Sequence, residues 1–256
     1  MLDRGGSFPR EIGKGGIRLT ATPPETARDK LIVALDVPGA AEALELNRRL
    51  GDEVRWVKVG LELFTAAGPG VVEALRASGR RIFLDLKLHD IPNTVAGAVR
   101  SASRLGVDLV TLHAEGGPAM MRAAAAAERG PQGSLRLLAV TVLTSLDGSE
   151  YPEVYRAGVQ DRVRAFARAA HEAGMDGVVA SPQELGALAE VLPAGFLRVI
   201  PGIRPVGSAA DDQARVATPG AALRAGATHL VVGRPITRAL DPAAAARAVL
   251  QEIAGT

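Results

Sequence analysis

The sequence predicts a single (β/α)8 barrel, a TIM barrel, and three observations carry that prediction. Eight short apolar runs recur along the chain with helix-length spacers between them. Each run is apolar on both faces, as a strand buried between a barrel interior and a helical layer must be. The chain has 256 residues, and one such barrel typically needs about 250.

Taken in order, residues 1–29 hold Gly5-Gly6, Gly15-Gly16 and Pro23-Pro24 among scattered charges. They lack the apolar stretch of a signal peptide and read as a loose arm ahead of a catalytic domain at 30–256. The first strand is 31–36, LIVALD, an apolar run that ends in Asp36 and breaks at Pro38-Gly39. Ala40, Ala43, Leu46 and Leu50 then share one helical face, closed by Gly51. Further strands fall near 55–60, 81–87, 107–113, 136–143, 176–180, 196–201 and 228–233. The competing doubly wound sheet calls for a Gly-x-Gly-x-x-Gly turn after its first strand, where this chain has DVPGAA at 36–41.

Composition narrows the function. A formal net charge of +2 argues against a nucleic-acid partner, and no apolar stretch is long enough to span a membrane. With no cysteine there is no disulfide, thiolate metal site or cysteine nucleophile, and the chain reads as soluble and cytoplasmic. Of 30 basic residues only four are lysines, and two of these, Lys58 and Lys87, lie inside apolar strands. A compact ammonium does there what a guanidinium cannot.

Barrel chemistry sits at the C-terminal strand ends. In the third strand, alternation puts Phe83, Asp85 and Lys87 on one face, with Asp85 and Lys87 about 7 Å apart at Cα. Asp90 follows just before Ile91-Pro92, where the chain turns into a helix, so acid, base and acid converge at the strand tip. Asp36 and Lys58 end neighbouring strands; they read either as part of the same site or as a structural ion pair. His113 reads as a packed histidine, and His89, His171 and His229 have no metal-ligand spacing. Gly233-Arg234-Pro235 after the eighth strand opens a short helix where barrels bind phosphate, and the polar stretch after Pro201, with Gln213, reads as a lid over it.

Opposite charges about 4 Å apart are worth on the order of 4 kcal/mol at an effective dielectric near 20, which favours the ammonium form of a lysine set between carboxylates. Such a lysine donates a proton and is a poor Schiff-base amine. The array suits a reaction that develops a carbanion and then protonates it.

These segments together resemble the bacterial orotidine 5'-phosphate decarboxylases. The resemblance rests on LIVALD ending in Asp36, VKVG with Lys58, FLDLKLHDIPNT from Phe83 to Thr94, VTVLTS with Thr144, PGIRP with Arg204, and VGRPIT with Gly233 and Arg234. It covers roughly residues 30–252. It implies that Asp36 and Lys58 contact the ribose, Thr144 the pyrimidine, and Gln213, Gly233 and Arg234 the phosphate, with Arg204 on the closing loop. It further implies that Lys87 protonates C6, that Asp85 faces the departing carboxylate, and that Asp90 and Thr94 reach the partner's site in a homodimer. No metal or cofactor is implied. Two rivals remain: a metal-dependent sugar-phosphate decarboxylase of the same superfamily, whose pattern has a glutamate where this chain has Lys58, and a non-catalytic phosphate-binding barrel.

Overall fold

Eight parallel strands in chain order close on themselves, β1 pairing with both β2 and β8. They are β1 (Leu31–Ala34), β2 (Trp56–Gly60), β3 (Arg81–Leu88), β4 (Leu109–His113), β5 (Arg136–Val140), β6 (Gly177–Val179), β7 (Leu197–Ile200) and β8 (His229–Val232). This is a computed structural model, and it describes residues 26–127, 129–145, 158–205 and 215–256. The predicted (β/α)8 barrel is therefore the fold. Gln213, with the rest of 206–214 in the predicted lid, and residues 1–25 of the predicted arm lie outside the described residues. A short helix, Ala27–Lys30, leads into β1 and crosses the predicted boundary between arm and domain at 29/30.

Strand alternation divides the apolar residues into two cores. Ile32, Trp56, Phe83, Leu109, Leu138 and Leu197 point inward and form the barrel interior. Their neighbours, such as Val33, Val57, Leu84 and Val110, point outward into a larger layer shared with the helices. The helix Pro92–Arg104 shows how a helix meets that layer: Val95, Ala96, Val99 and Ala102 recur at helical spacing and are buried. Pro92 at its first turn has no N–H to leave unpaired. As predicted, Gly51 ends the helix Ala40–Leu50, at φ 54°.

At the N-terminal rim three side chains cap strands that start two residues ahead of the strand beside them. Asp108, Asp176 and Thr228 accept the N–H of Ile82, Leu137 and Arg198 at 2.8, 2.8 and 2.9 Å. Each lies ahead of an even-numbered strand and satisfies a backbone donor of the odd strand beside it. At the other rim the Thr111 hydroxyl makes such a tie, accepting the N–H of Lys87 at 2.8 Å. There β5 ends at Val140, short of the predicted 143, because β6 offers only three residues to pair with. No helix among the described residues is long and apolar enough to cross a membrane.

Candidate active site

Four charged side chains alternate in sign across three adjacent strand tips. Lys58 Nζ lies 2.9 Å from Asp36 Oδ1 and 3.6 Å from Asp85 Oδ2, and Lys87 Nζ lies 2.9 Å from Asp85 Oδ1. The barrel register produces this row, since Ala34 pairs with Lys58 and Gly60 with Asp85. Gly60 leaves room for the Lys58 ammonium: a Cβ there would stand 3.0 Å from Nζ. The ion pair between Asp36 and Lys58 is thus one part of a continuous array.

The two inner members of the array are strongly polarised by their surroundings. Burial works against the Asp85 charge, yet Lys58 and Lys87, with hydrogen bonds from Lys87 and Thr111, outweigh it and hold the carboxyl below its ordinary pKa. Burial likewise opposes the Lys58 charge, and Asp85 and Asp36 outweigh it, holding the ammonium above the ordinary lysine value. Both stay charged across the neutral range, in a setting where electrostatic forces are less screened than in water.

Backbone irregularity places the fourth member. Between β3 and β4 the register shifts between Leu84 and Leu88, so four residues of β3 advance against two of β4. Within this bulge Lys87 adopts φ 50°, an uncommon conformation for a residue with a side chain. Thr111, fully buried on β4, fastens it from below. Its hydroxyl accepts the Lys87 N–H at 2.8 Å and donates to Asp85 Oδ1 at 2.9 Å. Sequence reasoning passed over Thr111, although one signal was present: a polar residue on the inward face of an apolar strand.

Asp90 does not join the array. It is exposed, its carboxylate accepts the N–H of Ile91 at 2.6 Å, and no ion pair joins it to Lys87 among the described residues. The expected convergence of acid, base and acid within one chain is therefore not what the geometry forms; the bulge turns the loop outward after Leu88. Thr94, one helical turn further on, is exposed as well. His113 is half-buried with its ring 5.5 Å from that of His89, so it is not the fully packed histidine expected.

Lys58, Asp85 and Lys87 open into a cavity of about 130 Å³. Its wall is mostly apolar, with Phe83, Val140, Val142, Val179 and Val231, and Thr144 stands at its edge. Thr144 lies in the turn beyond β5 rather than at the strand end. Gly233 adjoins the array from β8: a Cβ there would sit 3.7 Å from Asp36 Oδ2, toward the barrel mouth. Arg234 opens the short helix Arg234–Thr237 beside it. Arg204 is buried after β7, where its N–H bonds Ala217 O at 2.9 Å, and Gly202, at φ 75°, makes the turn that precedes it. Among the described residues no group of three or more His, Asp and Glu is set to hold a metal ion.

Comparison with known proteins agrees with this geometry. The model of the orotidine 5'-phosphate decarboxylase / HUMPS family matches residues 29–249. The chain is 53% identical over 234 residues to an orotidine 5'-phosphate decarboxylase of Moorella thermoacetica, covering 89% of this chain and 93% of that one. It is 54% identical over 226 residues to another from Halorhodospira halophila, covering 88% and 96%. Among solved structures, orotidine 5'-phosphate decarboxylase from Lactobacillus acidophilus superposes with a TM-score of 0.78 at 40% identity, over 87% of this chain and 98% of that one. With the family matched along nearly the whole barrel, the chain is an enzyme that belongs to the orotidine 5'-phosphate decarboxylase / HUMPS family.

Proposed function

We propose that the enzyme converts orotidine 5'-monophosphate to uridine 5'-monophosphate and CO2, the closing step of de novo pyrimidine synthesis, with no metal or cofactor. The alternating row Asp36, Lys58, Asp85, Lys87 is the observation that carries this reading. The bond from C6 to the carboxylate breaks, CO2 leaves, and the electron pair remains on C6. No neighbouring carbonyl delocalises that pair, so fixed positive charge has to stabilise it. The Lys87 ammonium faces the cavity and hands its proton to C6; solvent then reprotonates the amine. Asp85, held charged by two lysines, lies where the substrate carboxylate would depart.

In this reading Asp36 and Lys58 hold the ribose, Thr144 the base, and Gly233, Arg234 and Gln213 the phosphate, with Arg204 on the closing loop. Phosphate contacts far from C6 favour closure and so raise the rate as well as the affinity. Asp90 and Thr94 serve the active site of a second subunit. Both are exposed just after β3, as residues that reach a second subunit must be.

The test follows the loss of orotidine 5'-monophosphate absorbance, with and without exhaustive chelation. Equal turnover in both is expected. Turnover lost with chelator and restored by Mg2+ would favour the metal-dependent sugar-phosphate rival, and no turnover in either would favour a non-catalytic barrel.

A further inference from the structure

Glu184 is a fully buried carboxylate that the proposed chemistry does not use. It sits just beyond β6, where it accepts the Ser181 N–H at 2.9 Å and pairs with Arg215 at 2.5 Å. Burial raises its pKa, and Ser181 and Arg215 only partly counter this. The same guanidinium reaches across to the turn after β5, donating from Nε to Thr144 O at 3.3 Å and from a terminal nitrogen to Leu143 O at 3.1 Å. Two residues on, Ala217 pairs with the backbone beside Arg204. One side chain thus joins the turn after β5, the turn after β6 and the return of the β7 loop.

Leu143 and Thr144 line the cavity that Lys87 and Asp85 enter. A buried ion pair is a costly way to gain stability alone, and its best-attested use is to fix one geometry among several. We propose that Arg215, clamped by Glu184, is a positioning residue: it sets the Leu143–Thr144 wall against which the substrate's base rests, opposite Lys87. This rests on the activity proposed above. It predicts a selective defect, because the wall meets the base while phosphate is held on the side of Arg234.

The experiment compares inhibition by uridine 5'-monophosphate, which has a base, with inhibition by ribose 5-phosphate, which has none. It uses the full-length enzyme and the variants Arg215→Ala, Arg215→Lys and Glu184→Gln. Losing charge-assisted hydrogen bonds to two carbonyls should weaken the nucleotide about ten- to a hundredfold in Arg215→Ala, with ribose 5-phosphate changed less than about threefold. Glu184→Gln keeps an acceptor for Arg215 and should fall between wild type and Arg215→Ala. Adding it to Arg215→Ala should cost the nucleotide nothing more, since the two act as one unit. Should Arg215→Ala not fold, Arg215→Lys and Glu184→Gln carry the same comparison. An equal loss for both ligands, or a loss for neither, overturns the proposal. If wild type turns over orotidine 5'-monophosphate while the variants lose both ligands alike, the positioning role fails alone; a wild type that neither turns it over nor binds the product overturns the activity as well.

Discussion

Thr111 makes two hydrogen bonds whose joint loss has a measurable cost. Replacing it by valine keeps the shape but takes away the acceptor of the Lys87 N–H and one of two donors to Asp85 Oδ1, which keeps Lys87 Nζ. A buried donor left without its acceptor costs about 1–3 kcal/mol. Thr111→Val should therefore lower kcat by roughly ten- to a hundredfold, while Thr111→Ser, which keeps the hydroxyl, should stay within about threefold of wild type. A valine variant with unchanged kcat would show that the bulge holds Lys87 unaided. At this scale the sequence was legible where period-two alternation decides, as for Asp85 with Lys87 and for Lys58. It was illegible at the φ of Lys87 and the outward turn of Asp90, because a bulge is set by the register against β4 and no local residue pattern announces it.

Single elements are constrained most tightly inside the barrel. On β6, a Cβ at Gly177 would fall 2.4 Å from Leu197 Cβ and 2.6 Å from Leu197 O, so the adjacent strand itself would have to move. Gly177→Ala should destabilise by about 2–3 kcal/mol, lowering Tm by roughly 5–10 °C. Gly70, in the helix Pro69–Ala77, has nothing within 4 Å of a built Cβ. There the same substitution should be neutral or stabilising by up to about 1 kcal/mol. Two thermal melts check the pair, and a Gly177→Ala melt matching wild type would contradict the packing described for β6 and β7. Strand order and helix faces could be read from apolar runs alone. The ends of β5 could not, because they depend on how many residues β6 offers in return, and the role of Arg215 depends on a contact across 71 positions in sequence.

For the whole molecule, acid stability turns on the N-terminal rim. His229 is buried against Trp56, with ring centroids 5.9 Å apart, and Thr228 Oγ1 stands 3.0 Å from its Nδ1. Burial first, then Arg81 and Arg136, push its pKa down to about 4, with Asp29 opposing. The unfolded chain binds a proton at His229 below about pH 6.5 that the folded chain refuses. Stability should therefore fall as pH drops from about 6.5 to about 4, by at most about 3 kcal/mol from this residue. Urea midpoints across that range should show a shallower slope for His229→Gln; an unchanged slope would assign the acid response elsewhere.

Assembly is tested by mixing. If the proposed dimer shares its sites, Lys87→Ala and Asp90→Ala enzymes should each be nearly inactive, while a mixed dimer should rebuild one site from intact Lys87 and intact Asp90. Random exchange in a two-fold dimer makes about half the dimers mixed, each with one good site of two, so roughly a quarter of wild-type activity should return. Parental activity despite exchange shown by tagged pull-down would place Asp90 in its own subunit's site.

The Lys87 ammonium, held in the alternating array, is proposed to deliver the proton to C6. The rate of orotidine 5'-monophosphate decarboxylation by Lys87→Ala tests it most directly. General-acid catalysis contributes about 10²–10⁴-fold, and the lost charge adds to that, so a fall of at least this size is predicted in a variant that folds as wild type. A folded Lys87→Ala enzyme that keeps turnover within tenfold of wild type would contradict the account.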